Sequence, residues 1–235
     1  MADSRIKPLG DTALRIQLGE GIDPELNGRV RAACAALERA ALPGVVEWVP
    51  SYTAVTVHYR PHIVRYPELC RRLEAALAAD ADAPVPAGKT VTLPVLYGGE
   101  QGPDLPFVAE HHRLSVEEVI ELHRRPEYLV YMIGFAPGFP YLGGLPEKLA
   151  TPRLEKPRLS VPKGSVGIGG SQTGVYSVDS PGGWRLIGRT PVPLYDPKQQ
   201  PPALLEAGDR LRFRPVTASE YADIDAKVKK GIYAP

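Results

Sequence analysis

From Gly134 to Gly188 the sequence packs glycine, proline and aromatic residues closely together, and its chemistry is best sought there. The run GFAPGFPYLGGLP (134–146) sets four glycines and three prolines around Phe135, Phe139 and Tyr141. Glycine lets backbone approach a ligand or adopt positive φ, and proline stiffens a loop. A rigid, aromatic-lined loop serves a pocket wall and a tight barrel corner equally well, and these residues leave both open. Familiar catalytic signatures are missing. GGSQTG (169–174) has Thr173 where a nucleophile elbow needs glycine. No Lys-Ser/Thr follows the glycines of GFPYLGGL, so there is no Walker A cradle. Gln172 stands where a dinucleotide fingerprint needs its third glycine, and no HExxH occurs. His111 and His112 are neighbours, so a helix would point them about 100° apart. His58 and His62 straddle Pro61 and read as surface or capping residues, and Cys34 and Cys70 as buried free thiols. No metal site is expected.

The whole chain bounds these readings. Its 28 Lys+Arg and 27 Asp+Glu give a net charge of +1, which excludes a strongly basic nucleic-acid surface. No run approaches the roughly 18 apolar residues of a membrane span, and the N-terminus lacks the apolar stretch of a signal peptide. A cytoplasmic protein with neither nucleic-acid nor membrane partners is expected.

Two kinds of periodicity divide the chain. In the first part Leu14, Ile16 and Leu18 alternate as in a half-buried strand. Asp23-Pro24 then opens a helix with Leu26, Val30, Cys34 and Leu37 on one stripe, stopped by Leu42-Pro43-Gly44. Strands are predicted at 45–49 and 53–59, and a second helix from Pro67 carries Leu69, Leu73 and Leu77. This βαββα order is most of a ferredoxin-like unit. The stretch ADADAPVPAGK (79–89) lacks periodicity and contains the expected linker, 83–88, between an α/β domain, 1–82, and a second domain, 89–235. There a strand at 91–96 precedes a helical hairpin, 105–112 and 115–125, whose second helix starts at a Ser115/Glu118 capping box. Short strands are predicted at 127–135, 166–168, 174–178, 183–188, 192–195 and 210–214, with a last helix near Ser219. That spacing suggests a β-barrel or sandwich.

Six ordered segments carry a resemblance. They are GGEQGPD (98–104), GFAPGFPYLGGLP (134–146), TPR (151–153), VPKGSVGIGGSQTGVY (161–176), SPGGWRLIGRTP (180–191) and LYDP (194–197). The chain resembles the 5-oxoprolinase B-subunit family, also called allophanate hydrolase subunit 1 or the sporulation-kinase-inhibitor family. Lys163 departs from the residue expected at its position, which is more often alanine. The resemblance implies an α+β protein, with a small ferredoxin-like N-terminal domain and a cyclophilin-like β-barrel. It also implies a C-subunit homologue with a related barrel as partner. Together with the A-subunit, such a pair uses ATP to activate 5-oxo-L-proline for ring opening to L-glutamate, this chain being inactive alone. Two other roles go with the family: docking on a histidine kinase through Phe135, Phe139, Tyr141 and Trp184, or serving a biotin-dependent carboxyltransferase resembling urea carboxylase.

No catalytic residue transfers with the resemblance, but chemistry narrows the binding candidates. A lactam carbonyl is a poor electrophile, and phosphorylating its oxygen makes the ring cleavable. That step needs cations on the phosphate and a clamp on the substrate carboxylate. Arg153, Lys163, Arg185 and Arg189 lie in or beside the matched segments, and Gln172 can both donate to and accept from a lactam. Phe139 and Tyr141 supply apolar wall. Gly164, Gly169 and Gly170 are the expected backbone cradle for ATP with Mg²⁺, suspected only for the whole complex.

Overall fold

The structure is a computed structural model that describes residues 5–79, 87–233 and 235. It divides into two compact units, 1–87 and 88–235. The expected linker, 83–88, falls largely outside the described residues.

In the first unit the elements run β1 (Ile6–Pro8), β2 (Ala13–Gln17), α1 (Pro24–Ala40), β3 (Val45–Pro50), β4 (Ala54–Tyr59) and α2 (Tyr66–Ala79). Asp23 caps α1 by accepting from the Leu26 amide at 2.9 Å, with Pro24 at the first helical position. The sheet order is β1-β2-β4-β3, antiparallel throughout. β4 therefore sits between the two strands joined by α1, the split arrangement of a ferredoxin-like unit. The edge that a final strand would occupy in that fold belongs to β1 instead. Leu14 and Ile16 of β2, Val55 and Val57 of β4, and Leu69 and Leu73 of α2 form the core with the apolar stripe of α1. Both cysteines are only half-buried, contrary to the buried thiols expected, because each lies at the margin of its helix's apolar face.

The second unit is the cyclophilin-like barrel. Its elements are β5 (Thr90–Tyr97), α3 (Leu105–His112), α4 (Val116–Arg124), β6 (Tyr128–Ile133), β7 (Pro140–Gly143), β8 (Arg158–Val161), β9 (Ser165–Gly169), β10 (Gln172–Val175), β11 (Ser180–Gly182), β12 (Arg185–Arg189), β13 (Arg210–Pro215) and α5 (Ala218–Lys229). Seven strands form one sheet in the order β10-β9-β12-β5-β13-β6-β7, and β8 pairs separately with β11. The sheet curls until its edges meet: a Cβ placed on Gly174 of β10 would lie 3.3 Å from the Pro140 carbonyl of β7. Leu93, Val95, Val166, Ile168, Ile187 and Leu211 fill the interior, and Val108 and Val119 of the helical hairpin cover it. Ser115 and Glu118 do form the capping box that starts α4.

Two strand predictions and one loop need correction. Residues 192–195 form no strand. Pro191, Pro193 and Pro197 withhold ladder donors, and only a single bridge joins Tyr195 to Ala203. The strand expected at 174–178 runs from Gln172 to Val175, set by a two-residue turn in which Gly170 adopts φ 64°. The loop 134–146 contains β7, which pairs with β6 across a register shift.

Candidate functional site

An aromatic cavity of about 280 Å³ opens on the barrel unit. Phe139, just before β7, is its hub and is 3 % exposed. Its ring centroid lies 5.3 Å from those of Phe135 and Tyr141, 5.8 Å from Trp184 and 5.9 Å from Tyr176. All four pairs are near-perpendicular, the edge-to-face geometry that aromatic quadrupoles favour. Phe135 differs from the rest. Its φ is 64° and the Ala136 amide donates to the Gly134 carbonyl across it at 2.7 Å, a γ-turn of the strained hand. For a bulky side chain that conformation is an outlier of the kind found at functional sites. It leaves the Phe135 ring 66 % exposed beside the cavity.

Groups behind the walls fix the position of Trp184. A Cβ on Gly169 would sit 2.4 Å from the indole, so only glycine lets the ring lie flat on β9. Nη2 of Arg158 donates to both Asp104 oxygens at 2.9 Å, and Nη1 donates to the Trp184 carbonyl at 3.2 Å. Asp104 also accepts from the Leu186 amide at 2.6 Å. One buried carboxylate thus ties the start of α3 to β8 and β12. Burial raises the Tyr176 phenol above its ordinary range, keeping it neutral in the wall.

A second buried network lies next to Gln172. Thr173 donates its only hydroxyl proton to the Gly167 carbonyl at 3.0 Å. It must therefore accept from His123 Nε2, 2.9 Å away, which leaves Nδ1 to accept from the Tyr97 hydroxyl at 2.8 Å. Tyr128 donates to the His123 carbonyl at 2.6 Å. Burial holds the imidazole down at about 3 against an ordinary 6.5, so it stays neutral and each bond has a fixed direction.

The expected site residues fall into separate places. Phe139, Tyr141, Arg153 and Gln172 all line the aromatic cavity. The Arg153 guanidinium stands 5.8 Å from the Trp184 ring centroid, a cation–π distance, and has no carboxylate partner among the described residues. Arg185 is outside the lining. Its guanidinium lies 3.7 Å from the centre of the Phe107 ring, and its Nε donates to the Pro152 carbonyl at 3.2 Å. Lys163, Gly164 and Arg189 line a different cavity. The glycine cradle expected for ATP does not fit. The Gly164 amide donates to the Tyr176 carbonyl at 2.7 Å, the Gly170 amide donates to the Thr151 carbonyl at 2.8 Å, and Gly169 is covered by Trp184. These amides are spent on the barrel itself.

Sequence reasoning missed Tyr176, the Asp104–Arg158 clamp and His123. Asp104 and Tyr176 end two of the matched segments, and His123 extends the α4 stripe Val116, Val119, Ile120 at helical spacing, which marks a histidine turned toward the core. Chemically, the cavity offers flat apolar walls, one unneutralised cation and one amide. Its lining contains no acid.

Together these features define an α+β protein with an aromatic, singly cationic cavity on a cyclophilin-like barrel. Residues 4–205 match the carboxyltransferase domain, subdomain C and D, and the chain belongs to this family. It is 45% identical over 227 residues to the 5-oxoprolinase B-subunit of Bacillus subtilis, covering 92% of this chain and 95% of that protein. It is 44% identical to the 5-oxoprolinase B-subunit of Escherichia coli O157:H7, with 92% and 97% covered. The crystal structure of TTHA0988 superposes with a TM-score of 0.77 at 40% identity over 88% of this chain. This chain spans only 40% of that longer one. Among the described residues no helix is long and apolar enough to cross a membrane.

Proposed function

We propose that the chain is the B-subunit of an ATP-dependent 5-oxoprolinase, binding 5-oxo-L-proline in the aromatic cavity and working with the C- and A-subunits to release L-glutamate. The observation that carries this reading is the unpaired Arg153 over Trp184, in a lining without acids and beside the Gln172 amide. The substrate is a small flat ring with one carboxylate and one lactam. Arg153 suits the carboxylate, Gln172 suits the lactam carbonyl and N–H, and the aromatic walls suit the ring. Relatives named as 5-oxoprolinase B-subunits, similar over nearly their whole length, point the same way. Because no lining side chain is an evident nucleophile or base, the isolated chain should bind without turning over.

Glutamate release from 5-oxoproline and ATP, measured on this chain with both partner subunits, tests the reading. Arg153→Gln and Gln172→Ala should each lower turnover about 10- to 100-fold, the effect of losing one charge-assisted or buried hydrogen bond, with unchanged subunit pairing and, for Arg153→Gln, an unchanged melting temperature. Wild-type turnover in both variants would sink the choice of site. An assembled complex that never releases glutamate would sink the function.

A further inference from the structure

A second cavity, about 440 Å³, lies between the turn before β9, the segment following β12 and the last helix. Tyr221, Asp225, Val228 and Lys229 of α5 line it at i, i+4, i+7 and i+8, so a single helix face is turned to it. Three cations and two acids stand in the wall. Lys229 is paired with Asp225 at 2.6 Å, while Asp196 accepts from the Lys198 amide at 2.9 Å and keeps its charge, so the wall is net positive by one. The Lys163 ammonium and the Arg189 guanidinium have no carboxylate partner among the described residues.

The Arg189 side chain is held from behind, whereas Lys163 is tied down through its backbone only. The Lys163 backbone amide donates to Asp179 at 2.7 Å, and Arg189 Nε donates to the Lys163 carbonyl at 3.0 Å. This leaves the outer guanidinium nitrogens next to the Lys163 backbone, with the lysine side chain itself exposed. Ser177, 4 % exposed, also lines the cavity, and its Oγ has no hydrogen-bond partner among the described residues. An unpaired buried hydroxyl destabilises the fold, and a ligand that accepts from it offsets that cost.

We propose that this cavity binds a phosphate ester, with Lys163 and Arg189 on the phosphate and its organic body against Tyr221, Val192 and Val228. Two cations in one lining without carboxylate partners among the described residues, one of them a planar fork, match a phosphate dianion better than a single carboxylate. A bare phosphate occupies only a few water volumes, at about 30 Å³ each, and would leave most of the cavity unfilled. The apolar wall and the half-buried Tyr221 phenol suit a ring-bearing body of nucleoside size. None of these residues lines the aromatic cavity, so the assignment can fail without touching the 5-oxoproline site proposed there.

Calorimetric titration of the full chain at about 0.15 M salt, near-physiological screening, tests it. The probes are adenosine monophosphate, ribose 5-phosphate, inorganic phosphate, sulfate and adenosine. At least one ester should bind saturably and more tightly than either inorganic anion, while adenosine alone should not. Lys163→Gln, on an exposed turn that cannot unfold the barrel, should weaken the ester about tenfold or more, and so should Arg189→Gln. Ser177→Ala should weaken binding without lowering the melting temperature, and Arg153→Gln should leave binding unchanged. Failure of both esters to bind, equal binding of sulfate, or loss with Arg153→Gln but not with Lys163→Gln would overturn the assignment.

Discussion

Around the aromatic cavity Trp184 and Gln172 are backed by buried networks, whereas the charged groups of the second cavity stand on an exposed turn and one helix face. Trp184 is pinned by Gly169 and by the Asp104–Arg158 clamp. Gln172 adjoins a network whose proton directions are all determined. In the second cavity the ion pair Lys229–Asp225 is on the surface, its lysine 73% exposed, and α5 buries Ile224 alone. The difference separates two ways of building a site. One selects by shape and tolerates little change; the other selects by charge and tolerates a great deal.

Acid should strain this contrast most. Between pH 6.5 and about 3 the unfolded chain binds a proton at His123 that the folded chain refuses. The stability is therefore complete above pH 6.5 and is lost as pH falls, at about 1.4 kcal/mol per unit. The total reaches about 4–5 kcal/mol near the lower limit. Urea unfolding from pH 7 to pH 4 should show this slope, and His123→Leu should lose it whatever its absolute stability. An equal slope in the variant would remove His123 from the account. A smaller effect belongs to the clamp. Asp104→Ala strips partners from Arg158 and the Leu186 amide, and should cost about 2–3 kcal/mol with altered Trp184 fluorescence. An unshifted unfolding midpoint would mean that Trp184 is held by packing alone. The smallest effect is on the other side, where Lys229→Gln should change stability by less than about 0.5 kcal/mol. A larger loss there would show that α5 is fastened as firmly as the aromatic walls, and the contrast would fail.

What the sequence disclosed depended on how local each cause is. Alternation along β2 and β4, the Asp23 cap and the Ser115/Glu118 box are short-range signals, and all appear in the fold. The aromatic loop was legible as a composition, but its two readings could not be told apart because it is both: Phe139 lines the cavity while β7 closes the barrel. Which arginine faces the cavity was not legible at all. Arg185 is drawn to Phe107, on a helix from a distant part of the chain, and that leaves Arg153 as the cavity's cation. The clamp spans 54 positions, and no pattern in sequence links an aspartate before one helix to an arginine in a later strand.

The central position of β5 has a consequence for how the chain is made. Its two neighbours are β12 and β13, both far downstream, and Val91, Leu93 and Val95 are all buried in the finished barrel. During synthesis this apolar strand leaves the ribosome with neither neighbour in existence. From Tyr97 to the start of β12 at Arg185 is 185 − 97 = 88 positions. At about 5–20 residues per second, translation of that stretch takes roughly 4–18 s. The nascent barrel is thus an open sticky edge for seconds, and holdase chaperones should engage it in that interval rather than after release.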